Sequence, residues 1–265
     1  MFSLYLRLIW ARIRGQMQYK AAFWVDLIGF LVTSGIDFVV IAILFTRFDS
    51  LAGWSIYEIG LLYALTQISF SFAEMIMRGF DAPFETMMQR GSFDGVLIRP
   101  LDSFFQVLSS EFQLRRLGRT AQASAVLIFA LSNLAIDWTF AKIVLFVLTL
   151  IAGTIIYSAI IVIGATICFW TIKTPEVINA FTHGGNQLAS YPLSIYNEWI
   201  RRIFLMVIPI AFTNYPTALV LLNRSDPHGL AAQIAWASPL VALVFFGVAR
   251  LFWQYGVNSY QSTGS

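Results

Sequence analysis

Apolar residues run almost without interruption over 21–45 and again over 57–77, with a short polar turn at 47–55 between them. As a helix, each run is long enough to cross a hydrocarbon layer about 30 Å thick, which takes about 20 residues. The two therefore predict a helical hairpin in a membrane. Further runs predict a third span over about 121–136, a long fourth over about 143–170 and a last over about 231–253, with a brief polar turn at 137–139. Ahead of the first run, Phe2, Leu6, Ile9 and Ile13 recur at helical spacing while Arg7 and Arg14 lie seven apart on another face. Residues 1–20 thus predict an amphipathic helix lying along the membrane surface. The tail over 254–265 is short and polar and is expected to be disordered.

Two stretches break the pattern. Residues 78–119 hold Arg78, Arg90, Arg99, Arg115, Arg116 and Arg119, with Pro83, Gly91, Gly95 and Pro100 as helix breakers. Residues 177–222 carry Gly184, Gly185, Pro192, Pro209 and Pro216 inside apolar runs. Each proline removes a backbone donor and disturbs the carbonyl four residues earlier. At membrane depth the freed groups need protein or a hydrated cavity to satisfy them. The pattern predicts one broken span, then a hairpin over about 203–222 dipping back from the outer side, so that 192–230 forms an outer region. The expected fold is all-α, a polytopic membrane protein with six transmembrane helices in one domain over 1–265. It begins with the interfacial helix and has a re-entrant extracellular hairpin before its last helix.

Composition agrees, since 58% of the 265 residues are apolar or aromatic and 12% are charged, against roughly 25% charged in soluble domains. That excludes a water-soluble surface. The first apolar block is longer than a signal-peptide core and lacks a small-residue cleavage site, so the amino terminus is expected to be retained. A single cysteine, Cys168, excludes an internal disulfide and a cysteine metal cluster. The net charge of +3 is small, and its placement matters more. Residues 1–20 and 78–119 are basic while the turn at 47–55 has only Arg47, which places both basic segments and both termini in the cytoplasm. This is a membrane topology signal, not a nucleic-acid footprint. Thr171, Ile172, Lys173, Thr174, Pro175 and Glu176 read as a further cytoplasmic turn, with Pro175 suited to the first turn of the next helix. Gly153 and Gly164 are expected to thin the fourth span for close packing.

Two strings narrow the class: Arg90-Gly91-Ser92-Phe93-Asp94-Gly95-Val96-Leu97-Ile98-Arg99-Pro100-Leu101 and Ile208-Pro209-Ile210-Ala211-Phe212-Thr213-Asn214-Tyr215-Pro216. With the order of spans, they resemble type-2 ABC transporter permeases, in particular bacterial proteins described as ABC-2 family transporter proteins. The likeness covers nearly the whole chain. It implies a permease subunit of an ATP-driven exporter in the bacterial plasma membrane, paired with a second permease, the same or homologous, and powered by separate ATPase subunits. The sequence holds no Gly-x-x-x-x-Gly-Lys-Ser/Thr phosphate loop, so no nucleotide cofactor is expected on this chain. A lipid, glycan, drug or peptide would each fit the resemblance as substrate.

The resemblance places a coupling helix, which docks on the ATPase, at 81–89. Phe84, Met87 and Met88 would form its apolar ridge, with Asp81, Glu85 and Arg90 as polar flanks; the plainer reading is a solvated loop. Asp26 and Asp37 are three helical turns apart on one face of the first span, and a charge at membrane depth is costly unless paired or hydrated. They line a route or subunit contact, or else Asp26 sits at headgroup level and Asp37 pairs with a neighbouring helix. Glu74 is expected to pair with Arg78 one turn on, and Glu198 with Arg201 and Arg202. Thr182, His183, Asn186 and Gln187 either wet a central cavity, where His183 would titrate near neutrality, or join helices by hydrogen bonds. Pro209, Asn214 and Pro216 are the candidate outer gate. No span carries a zinc motif or a nucleophile elbow, which leaves an ion-coupled carrier using Asp26, Asp37 and His183, or a structural membrane subunit, as the alternatives.

Overall fold

The computed structural model describes residues 2–171 and 180–261, with side chains over 7–171 and 182–261. Within them the chain forms helices joined by short turns, and no strands. The helix expected at the membrane surface is α1 (Phe2–Gln18), followed after Tyr19 by α2 (Lys20–Leu44) and then α3 (Ile56–Ile76). A reciprocal cap starts α3: the Ser55 hydroxyl accepts from the Glu58 amide at 3.3 Å and the Glu58 carboxylate accepts from the Ser55 amide at 2.7 Å. Two of the orphan donors at that helix end are satisfied this way. The basic stretch folds as α4 (Ala82–Gln89), α5 (Asp94–Leu97) and α6 (Ser103–Ser110). Then come α7 (Leu117–Asn133) and α8 (Phe140–Thr171).

The expected irregularity is present. A π-helical turn at Ala180–Gly184 leads into α9 (Gly185–Ala189), α10 (Glu198–Arg202), a second π-turn at Ile203–Val207, a 3-10 turn at Ile210–Thr213 and α11 (Tyr215–Leu221). The chain closes with α12 (Ser238–Ser259), entered through a 3-10 turn at Ala232–Ala237. Apart from Thr171, the turn expected over 171–176 lies outside the described residues.

Among the described residues, four helices are long and apolar enough to cross a membrane: Lys20–Leu44, Ile56–Ile76, Phe140–Thr171 and, counting its entry turn, Ala232–Ser259. α7 has 17 residues, about 26 Å at 1.5 Å per residue. α3 is the centre of the bundle, packed on α7 and α8, while α12 runs along α8 and α2 leans on α7. The outer face of α2 leaves Trp24, Val25, Ile28, Val32, Ile36 and Val39 more than half exposed. A contiguous apolar surface of that extent suits lipid or another apolar partner, not water.

Close approach explains two glycines. A Cβ on Gly118 would lie 2.1 Å from the Leu27 carbonyl oxygen, so α2 and α7 meet backbone to backbone, and a Cβ on Gly153 would lie 2.5 Å from Ser69 Oγ of α3. Gly153 therefore thins α8 as expected.

Among the boundaries that differ from the sequence reading, two matter most. α7 starts at Leu117, four residues early, and α12 runs six residues past Trp253 into the stretch expected to be disordered. The cause of the second is an aromatic nest. Trp253 is fully buried, with ring centroids 5.0 Å from Phe80, 5.1 Å from Phe84, 5.1 Å from Phe169 and 6.0 Å from Phe104. Burial of these rings holds the end of α12, the end of α8 and the 78–110 segment in one apolar cluster.

Candidate functional site

The polar interior is organised by one face of α3. Thr66, Gln67, Phe70 and Glu74 recur at helical spacing, and all four are buried. They face the irregular 182–214 region. At one end of this seam the Glu74 carboxylate lies 3.0 Å from an Arg116 guanidinium nitrogen and 2.7 Å from one of Arg119. Arg116 stacks over Phe30 of α2 at 4.7 Å and Arg119 over Phe70 at 5.5 Å. The expected Glu74–Arg78 pair does not form, because Arg78 turns to Asp81. Glu74 instead finds cations 42 and 45 residues away, on the turn into α7 and on α7 itself. Beside it is a cavity of about 40 Å³, lined by Glu74, Arg78, Asp81, Gly164, Thr182 and His183 among others, room for about a water or two. His183 is exposed and stands edge-on to Phe70 at 5.5 Å.

Half-way along the seam, the Asn186 amide nitrogen donates to Gln67 Oε1 at 3.3 Å. Their remaining amide atoms, Asn186 Oδ1 and Gln67 Nε2, are buried with no protein partner. Gln187, by contrast, is exposed. Further on, the Asn214 amide nitrogen has two protons to give and three oxygens within reach: Ala189 O at 2.5 Å, Thr66 Oγ1 at 2.7 Å and Leu62 O at 3.2 Å. The Ala189 carbonyl ends α9, where helix geometry leaves it without a partner. Asn214 therefore fastens the break after Thr213 to the end of α9 and to the middle of α3. Pro209, Asn214 and Pro216 are all buried within the protein.

The opposite end carries a second ion pair that spacing did not reveal. Glu198 pairs with Arg202, but Arg201 leaves that pair for Asp226 at 3.2 Å. The Asp226 carboxylate also accepts from Tyr215 Oη at 2.5 Å and from the backbone amides of His228 and Leu230 at 3.0 Å each. Burial alone pushes the Asp226 carboxyl up; these donors and the Arg201 charge outweigh it and hold the group below its ordinary range.

The remaining candidates separate. Asp26 pairs with Arg115 at 3.3 Å, on the same end as Glu74, whereas Asp37 is half-buried further along α2. Phe84 and Met88 are fully buried in the aromatic nest and Met87 partly so, so these three form no exposed ridge. The outward face of α4 is Asp81, Thr86, Gln89 and Arg90. What the basic end does expose is Ile98, 85% accessible, with Leu97 and Leu101 beside it.

Long apolar helices around a buried polar seam define a helical membrane protein. Residues 31–264 match the family model described as ABC-2 family transporter protein, and the chain belongs to that family. The family's members are membrane subunits of ABC transporters and work with ABC ATPase subunits. No curated protein and no solved structure matches the chain.

Proposed function

We propose that the chain forms half of the translocation path of an ATP-driven exporter in a bacterial plasma membrane. In this reading it has six spans, both termini and the 78–119 segment are cytoplasmic, and the hairpin of α10 and α11 lies toward the outside. A second permease packs against the apolar face of α2. The observation that carries the proposal is the shape of the basic end. It is a folded platform, cemented to α8 and α12 by the aromatic nest, from which Ile98 projects almost fully exposed with Arg99 next to it. A rigid apolar knob on a cytoplasmic surface suits a groove on a partner. The coupling contact then falls on 97–101 and the polar face of α4, with Phe84 and Met88 supporting it from within. An ion-coupled carrier is less well supported, because Asp26 is tied to Arg115.

The expected outcome of Ile98→Asp is loss of ATPase association by about thirtyfold, since an interface anchor contributes roughly 2 kcal/mol or more. Insertion in the membrane should be unchanged. Co-purification with the partner ATPase and permease-stimulated ATP hydrolysis read this out; normal coupling by the variant would remove 97–101 from the interface.

Topology is checked separately. In a Cys168→Ala background, a cysteine at Asp49 is expected to react with a membrane-impermeant maleimide on intact cells, and one at Ser92 only after permeabilisation. The reverse pattern would invert the proposed orientation.

A further inference from the structure

A cleft of about 410 Å³ opens between α1 and the 92–110 segment, within the size range of small-molecule sites, roughly 300–1,000 Å³. Its walls are of two kinds. Leu8, Val96, Leu101 and Phe105 supply apolar surface, and Leu8, Leu101 and Phe105 are each about 40% exposed although they lie in a cleft. Arg12 from α1 and Arg99 from the loop after α5 supply two guanidinium groups. Neither arginine is in an ion pair among the described residues. The acid that shares the cleft, Asp102, is already committed: it accepts from Arg250 at 2.5 Å and caps α6 through the Phe105 amide at 3.2 Å. The cleft therefore holds two uncompensated cations over an apolar floor.

We infer that this cleft binds an anionic phospholipid of the surrounding leaflet, its phosphate between Arg12 and Arg99 and the start of an acyl chain against Leu8, Leu101 and Phe105. Charge complementarity selects an anion, and the apolar wall selects an amphiphile over a free anion. The position of α1 supplies access, because an amphipathic helix lies at the headgroup level where such lipids are present. The lipid would fasten α1 to the platform that presents Ile98. The inference rests on the proposed membrane placement of the basic end, but its test in detergent does not depend on which side of the membrane that end occupies.

The test is native mass spectrometry of the full chain in detergent, titrated with palmitoyl-oleoyl phosphatidylglycerol or palmitoyl-oleoyl phosphatidylcholine. Phosphatidylglycerol should bind saturably and tightly, phosphatidylcholine weakly. Each guanidinium near a lipid headgroup contributes roughly fivefold, so Arg12→Gln with Arg99→Gln should weaken phosphatidylglycerol binding about thirtyfold. Arg14→Gln is the control. Arg14 lies over Trp10 at 5.3 Å, does not line the cleft, and its loss should leave binding unchanged. Equal binding of the two lipids, an unaffected double variant, or an equal loss in Arg14→Gln would overturn the inference, the last by showing general surface charge to be responsible. Displacement of the lipid by sn-glycerol 1-phosphate at comparable concentration would also overturn it, assigning the site to a soluble anion.

Discussion

Glu74→Ala is expected to destabilise the folded chain by about 3–5 kcal/mol, the cost of leaving buried charges without their partner. Glu74 is 8% exposed at its side chain, against 11% for Arg116 and 17% for Arg119. Without the carboxylate, two guanidinium groups held by α3, α7 and the Phe30 and Phe70 rings face one another in a region poor in water. Their mutual repulsion is then uncompensated, and neither can swing into solvent without leaving its ring. Glu74→Gln should cost less, since it keeps the shape and one acceptor, yet it too should lower the unfolding midpoint. Replacing all three residues by apolar ones of similar volume should recover much of the loss, because an ion pair's own desolvation is then relieved. Thermal unfolding of the purified protein in one detergent checks the series. An unchanged midpoint for Glu74→Ala would mean that water already screens the triad.

Asp226→Ala is expected to have an effect of similar size at the other end, since it strands Arg201, 9% exposed, and three further donors at once. This site also carries a pH signature. The folded-state pKa of Asp226 is depressed, so the stability it contributes is fully present above the ordinary carboxylate value of about 3.9. It is lost as pH falls through the lower, folded-state value. The natural protein should therefore lose resistance to external protease in the 198–230 region below about pH 4, whereas Asp226→Asn should be cut readily at pH 7 and respond less to acid. Equal cleavage of both proteins at neutral pH would show that the pair does not hold this region together.

The hydrophobic pattern made the scaffold legible because a helix in lipid must be apolar for a set length. α2, α3 and α8 fall close to where the runs of residues place them, and the break before α11 is where the prolines are. Partners were not legible. Periodicity places Glu74 on a face of α3 but does not say that Arg116 and Arg119 close over it, and local spacing favoured Arg78, which the structure gives to Asp81 instead. The same limit misassigned Arg201. Phe84 and Met88 were recognised as apolar residues in a basic segment. Whether such residues face a partner or their own core depends on Trp253, about 170 residues away, and nothing local to 81–89 signals it. The place of Asn214 in a proline-rich string makes it a gate candidate, and the sequence does not say that its amide reaches α9 and α3.

The aromatic nest around Trp253 has a mechanical meaning. Six rings from the 80–104 segment, the end of α8 and the end of α12 pack in one buried cluster, which ties the platform to both long helices. A displacement delivered at Ile98 would travel up two parallel rods about 33 and 48 Å long, and through α8 it would reach α3, which packs along it. That is the geometry of a lever whose short arm is the platform and whose long arm is the α8–α12 pair.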